Sequence, residues 1–227
     1  MIGTWTAPTP SGGSSQELLL SFDQGRAVRI LVLPGWFDEA NKLRRFTVEV
    51  MRRLDATGLD CLLPDLPGCN ESLEPLREQT ISTWRDAAAA AATSMNATHV
   101  LTLRSGALIA PSRLSGWRYA PQTGPKQLRG MLRARTIAAR EDGREETSAQ
   151  LLDIGRTNGL TLGGWEIGPE MFSQLENTRP SDSETQVEIA QSTLGGPGLW
   201  LRAEPDEDGK QADALASIIA LALGDRL

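Results

Sequence analysis

Apolar residues in the first half of the chain form short runs separated by amphipathic stretches of a different period. Glu17–Phe22 (ELLLSF) and Ala27–Leu33 (AVRILVL) are compact apolar runs of strand type. Asp23-Gln24-Gly25 between them is a turn signal, so a hairpin is expected. From about Glu39 to Thr57 the period changes. Leu43, Phe46, Val50, Met51 and Leu54 fall on one helical face, and Gly58 closes it. Leu59–Pro64 is again a strand, and two strands separated by a helix make a parallel pair. Thr83–Ala92 reads as a helix opened by Ser82 or Thr83, and its alanine run 87–92 lets it lie close to a sheet. Val100–Leu103 is a buried strand that runs straight into Arg104-Ser105-Gly106 and then ALIA, good helix formers.

The second half is less regular. Gly116–Ala120 reads as a further strand. Residues 124–178 hold two or three helical stretches with glycine-rich breaks around Leu160–Gly164. Thr185–Ala190 alternates like a strand, Gly198–Ala203 reads as another, and Gln211–Leu223 is an apolar last helix. Residues 1–16, rich in Pro, Gly, Ser and Thr, are expected to be flexible. The expected organisation is therefore one α/β domain over residues 17–227. Its mainly parallel sheet is covered by helices on both faces, with a helical insert or lid at about 124–178, after the strand that ends at Leu103.

That strand and the turn after it focus the functional reading. Strand, sharp turn and helix is the geometry of a nucleophile elbow, which needs small residues two positions before and after its tip. Centring on Arg104 places Thr102 and Gly106 at the flanks; centring on Ser105 places the bulky Leu103 there. Arg104 is thus expected at the tip, where a hydrolase carries its nucleophile. A guanidinium there, among free N–H groups, suits an anion. Equally, Arg104 can pair internally with Asp65, Glu39 or Glu166, or simply face solvent.

Residues 28–110 resemble the core of α/β-hydrolases. Pro34-Gly35-Trp36 resembles their oxyanion turn, and Asp65-Leu66-Pro67-Gly68-Cys69-Asn70-Glu71-Ser72 resembles their DLPGHGxS loop, with Cys69-Asn70 in place of His-Gly. More narrowly, the chain resembles the type 2 exosortase A (PEP-CTERM) system-associated hydrolases of bacterial exopolysaccharide loci. The similar pieces are Phe37–Arg45, Leu103–Leu108, Gly124–Ala139, Gly164–Ile167 and Gly196–Trp200, in that order. The resemblance implies an α/β-hydrolase fold and a hydrolase role. It also marks where this chain departs: arginine at the elbow tip, and one histidine in all, His99, before the elbow strand rather than after the last one.

Composition bounds the rest. The 227 residues carry a net charge of −6, which makes nucleic acid a poor partner. Mean hydropathy is −0.27, and no apolar run is long enough to span a bilayer. Two cysteines without metal-type spacing, and no signal-peptide pattern, fit a cytoplasmic protein with no metal and no cofactor. Weak catalytic candidates are Ser105, which needs a base, and the Cys69 thiol. The expected ligand set is Gly35, Trp36, Arg104, Ser105 and Asp65, with the Trp36 and Ser105 N–H groups as an anion pocket. Asp65 serves equally well as a loop anchor, and Trp36, Trp165 and Trp200 as core or as pocket wall. Lys126, Arg129, Arg133, Arg135, Arg140 and Arg144 make a basic stretch. Of these, Arg129, Arg133 and Arg140 lie near one face: a solvated surface, or a contact for phosphate, an acidic partner or a membrane. The functional expectation is a hydrolase-like protein of an exopolysaccharide system that binds an anionic or acyl ligand or a partner protein. The alternative is an active ester or thioester hydrolase with a nonstandard site.

Overall fold

The computed structural model describes residues 1–224; the last three residues of the expected domain, 225–227, lie outside them. The strands are β1 (Ile2–Pro8), β2 (Ser14–Phe22), β3 (Arg29–Leu33), β4 (Asp60–Pro64), β5 (His99–Leu103), β6 (Ser115–Tyr119), β7 (Leu160–Leu162), β8 (Trp165–Ile167) and β9 (Gln186–Ile189). The helices are α1 (Asp38–Ala56), α2 (Ile81–Ser94), α3 (Gly124–Glu141), α4 (Ser148–Asn158), α5 (Pro169–Asn177), α6 (Gln191–Leu194) and α7 (Gly209–Gly224).

Seven strands form one sheet in the order β1-β2-β4-β3-β5-β6-β9. Pairings β4-β3-β5-β6-β9 are parallel, whereas β1-β2 and β2-β4 are antiparallel. The parallel strands are buried on both faces, so they read as continuous apolar runs rather than alternating ones. Ile30, Val32, Leu101, Leu103, Trp117 and Tyr119 face α1 and α7. Leu31, Leu33 and Val100 face α2, whose Ala87, Ala88, Ala91 and Ala92 are all buried. The missing side-chain bulk lets that helix approach the sheet, as expected. Thr80 caps α2 through the Thr83 backbone N–H.

Four expectations change. Residues 1–16 are not loose: β1 pairs with β2 along its length, burying Trp5 and Ala7. The expected hairpin of β2 with β3 does not form, because β2 pairs with β4 instead. Gly198–Ala203 is not a strand; Leu199–Leu201 makes a single 3₁₀ turn. The insert follows β6, one strand later than the elbow strand. It consists of α3, α4, the small β7-β8 hairpin at the glycine-rich break, and α5. It caps the C-terminal ends of the parallel strands, and Leu128, Leu132, Leu151, Phe172 and Leu175 seat it on the core that α2 shares.

Candidate functional site

Arg104 leaves β5 at φ +54°, a conformation that costs a non-glycine residue about 1–3 kcal/mol. The turn after it is 3₁₀, over Arg104–Ile109. The small flanks have a direct cause. A Cβ on Gly106 would lie 2.2 Å from the Leu33 carbonyl oxygen and 2.6 Å from that of Pro34, at the end of the neighbouring strand. Thr102, the other flank, is fully buried. Arg104 therefore stands at the tip of an elbow.

All three nitrogens of its guanidinium donate hydrogen bonds. Nε and Nη2 donate to the two carboxylate oxygens of Glu39 at 3.1 and 2.9 Å, and Nη1 donates to the Ala120 carbonyl at 2.9 Å. The Trp200 ring lies under it, with Cζ 3.9 Å from the ring centroid. Glu39 comes from the first turn of α1, one of the three partners the sequence left open. The Ala120 carbonyl is aimed by a second left-handed residue, at φ +44°. Trp200 reaches the site because Gly198 has no side chain: a Cβ there would come within 2.5 Å of the indole.

Ser105 is completely buried, and its Oγ accepts the Trp36 backbone N–H at 2.9 Å. The expected anion pocket of Trp36 and Ser105 N–H groups therefore gives way, because the Trp36 donor is spent inside the protein. His99 opens β5, at the end of the strand away from the elbow, roughly 16 Å from Arg104 at about 3.3 Å per residue. It stacks on Trp117 at that far end. Cys69 is partly covered. Burial, reinforced by Asp65 and Glu17, pushes its thiol far above the ordinary cysteine range, so it stays protonated and is a poor nucleophile.

A cavity of about 400 Å³ opens between the elbow and the cap. Its floor is the Arg104–Glu39 pair. Phe37, Met131, Leu162, Trp165, Trp200 and Leu201 supply apolar walls, and Gln122, Lys126 and Gln127 stand along α3 and its entry. Of the expected ligand set only Arg104 lines this cavity. Gly35 lies beneath it, where an added Cβ would meet Glu39 at 3.3 Å and Arg104 at 3.4 Å. Trp36 is core, packed edge-on against Trp84. Of Trp36, Trp165 and Trp200, the latter two form cavity wall and Trp36 does not. Lys126, Gln122 and Gln127 were missed as site residues, since nothing local marks which side of a cap helix faces a cavity. Among the charged lining residues, Asp38 pairs with Lys42 and Glu39 with Arg104. Lys126 has no ion-pair partner among the described residues.

Asp65 lies apart, lining a separate hollow with Arg44, Asn70 and Glu71. One carboxylate oxygen accepts from Asn70 Nδ2 at 2.8 Å and meets Arg44 at 3.4 Å; the other has no partner. Burial raises its pKa, against the opposing pull of Arg44 and the Asn70 hydrogen bond. A carboxyl whose pKa is higher folded than unfolded stabilises the fold while protonated, and loses that contribution as pH rises through the folded value. Asp65→Asn is therefore expected to melt above the wild type at neutral pH, with the gap closing towards about pH 4, near the unfolded Asp value. Melting curves at both pH values check this; a lower melting temperature at neutral pH would mean that the Arg44 contact outweighs burial.

The whole chain superposes on solved α/β-hydrolase-fold structures. Mouse alpha/beta hydrolase domain-containing protein 10 aligns over 100% of both chains, with TM-score 0.58 and 11% identity. An AqdC variant that recognises and cleaves the ring of the Pseudomonas quinolone signal aligns over 99% of this chain and 98% of its own, with TM-score 0.54 and 14% identity. DcsB, in complex with a substrate analogue, aligns over 99% and 97%, with TM-score 0.53 and 9% identity. No family model and no curated protein matches the sequence. The chain has the α/β-hydrolase fold, with its cap inserted between β6 and β9. No helix among the described residues is long and apolar enough to cross a membrane.

Proposed function

We propose that this chain is a non-catalytic protein of the hydrolase fold that binds a small amphipathic anion, such as an acyl carboxylate, between elbow and cap. The observation that carries the reading is the elbow tip. The position from which a nucleophile attacks holds an arginine clamped by Glu39, Trp200 and the Ala120 carbonyl. The neighbouring hydroxyl is sealed against the Trp36 N–H. Hydrolysis on this fold needs a free nucleophile beside a base, and an empty donor pair for the developing oxyanion. Ser105 offers neither. The cavity remains, and its composition supports the ligand class: an apolar body against Trp165, Trp200 and Met131, and a head group drawn to Lys126, the lining charge left uncompensated. The resemblance to exosortase A system-associated hydrolases supports a place for this binding role beside the exopolysaccharide machinery of a cytoplasmic compartment.

Isothermal titration with octanoate and with octanol tests the reading. Octanoate is expected to bind and octanol to bind more weakly, and Lys126→Ala is expected to bring the two together. Equal affinity of wild type for both would remove the anionic head group from the proposal. Turnover of p-nitrophenyl octanoate by the wild type, abolished by Ser105→Ala, would overturn the non-catalytic reading.

A further inference from the structure

α3 separates two concavities. The side carrying Lys126, Gln127 and Met131 faces the ligand cavity; the other side, with Leu128 and Leu132, faces a groove of about 480 Å³ shared with α4. The groove floor is apolar: Leu128 and Leu132 are 3% and 5% exposed, with Leu152 of α4 opposite. Its rim is cationic, formed by the exposed Arg129 and Arg133. Neither has a carboxylate within ion-pair distance among the described residues. Arg135 and Arg144 are both held by Glu146, at 2.7 and 2.9 Å. Glu176, the one acid lining the groove, is already claimed by Arg156 at 2.8 Å. A chain of net charge −6 has carboxylates to spare, yet leaves these two guanidinium groups bare over an apolar trough.

We propose that this groove docks an acidic amphipathic helix of a partner protein. Three properties select that occupant. The lining residues of α3 run from Pro125 to Thr136, about 17 Å at 1.5 Å per residue, or three turns of a partner helix. Apolar anchors at i, i+3, i+4 and i+7 match a trough of this kind, and flanking glutamates meet the arginine rim. A membrane surface is the poorer fit, because membrane-binding helices push apolar side chains outward, whereas Leu128 and Leu132 are recessed below the arginines.

Fluorescence anisotropy with a labelled synthetic peptide of about four turns, leucines at the anchor spacing and glutamates at the flanks, tests the proposal. The wild type is expected to bind it in a salt-sensitive manner and to ignore the same peptide with lysines for glutamates. The double variant Arg129→Glu/Arg133→Glu alters only exposed side chains. It is expected to lose about tenfold or more in affinity for the acidic peptide and to gain affinity for the basic one, since like charges across an interface repel. Equal binding of the two peptides, no binding of either, or indifference to the charge reversal would overturn the proposal. So would binding of phosphatidylserine–phosphatidylcholine vesicles in the absence of peptide binding, which would assign the face to a membrane.

Discussion

Arg104→Met is expected to lower the unfolding free energy by about 3–5 kcal/mol, the cost of stranding the partner of a buried ion pair. Glu39 has its side chain only 13% exposed and takes both of its hydrogen bonds from this guanidinium. Methionine would fill much of the space over Trp200 but supply no donor, leaving the Glu39 carboxylate and the Ala120 carbonyl without theirs. The double variant Arg104→Met/Glu39→Gln removes the stranded charge and is expected to recover a large part of the loss. Denaturant unfolding of the two variants separates an internal clamp from a ligand-binding arginine. If Arg104→Met unfolds with the wild type and only loses octanoate binding, the ion pair is not structural and Arg104 belongs to the ligand. A large loss rescued by Glu39→Gln is the expected result.

Gly106→Ala is expected to be at least as damaging, for a steric reason. Its Cβ would lie 2.2 Å from one backbone carbonyl oxygen and 2.6 Å from the next. Overpacking of flexible side chains typically costs about 1–3 kcal/mol. Here the obstacles are main-chain atoms of β3 and its exit, which cannot rotate away, so a loss beyond about 3 kcal/mol is expected. The substitution adds one methyl group and changes no charge. Expression and a thermal melt read it: a variant that folds with the wild-type melting temperature would mean that the elbow does not press against β3 as described. Gly130→Ala, a helical glycine with nothing near its Cβ position, is the control and is expected to be neutral or slightly stabilising.

Much of the site's local chemistry was legible from spacing alone. The choice of Arg104 over Ser105 for the elbow tip rested on Thr102 and Gly106, and crowding between the elbow and β3 is a local demand that any sequence with this turn must meet. Likewise the amphipathic face of α1, the alanine face of α2 and the apolar run of β5 are set by neighbours within a few residues, so periodicity reports them. His99 also fell where the strand order required, at the end of β5 away from the elbow.

What the sequence left open depends on groups far apart along the chain. Residues 2–8 look loose because only Trp5 and Ala7 are buried there; their order comes from backbone pairing with β2, which composition does not register. The turn signal Asp23-Gln24-Gly25 points β2 to the nearest strand in sequence, β3, rather than to β4. The parallel pairing of β3 with both β4 and β5 already uses both edges of β3, leaving β4 as the free edge for β2. The fate of Arg104 was undecided among Glu39, Asp65, Glu166 and solvent, since charge complementarity names candidates but not distances. The crossover through α1 brings Glu39 to the elbow, a contact across 65 residues. The Trp36 and Ser105 N–H groups are individually plausible anion donors; only the hydrogen bond from the Trp36 N–H to the Ser105 Oγ, across 69 residues, spends the first of them inside the protein. Sequence by itself therefore determined the strands and helices of the parallel core and the identity of the residue at the elbow tip, because both obey short-range rules of spacing and size. The tertiary structure alone decided that this residue is clamped rather than free, and that α3 divides a ligand cavity from an arginine-rimmed groove, because both follow from which distant elements the sheet order brings together.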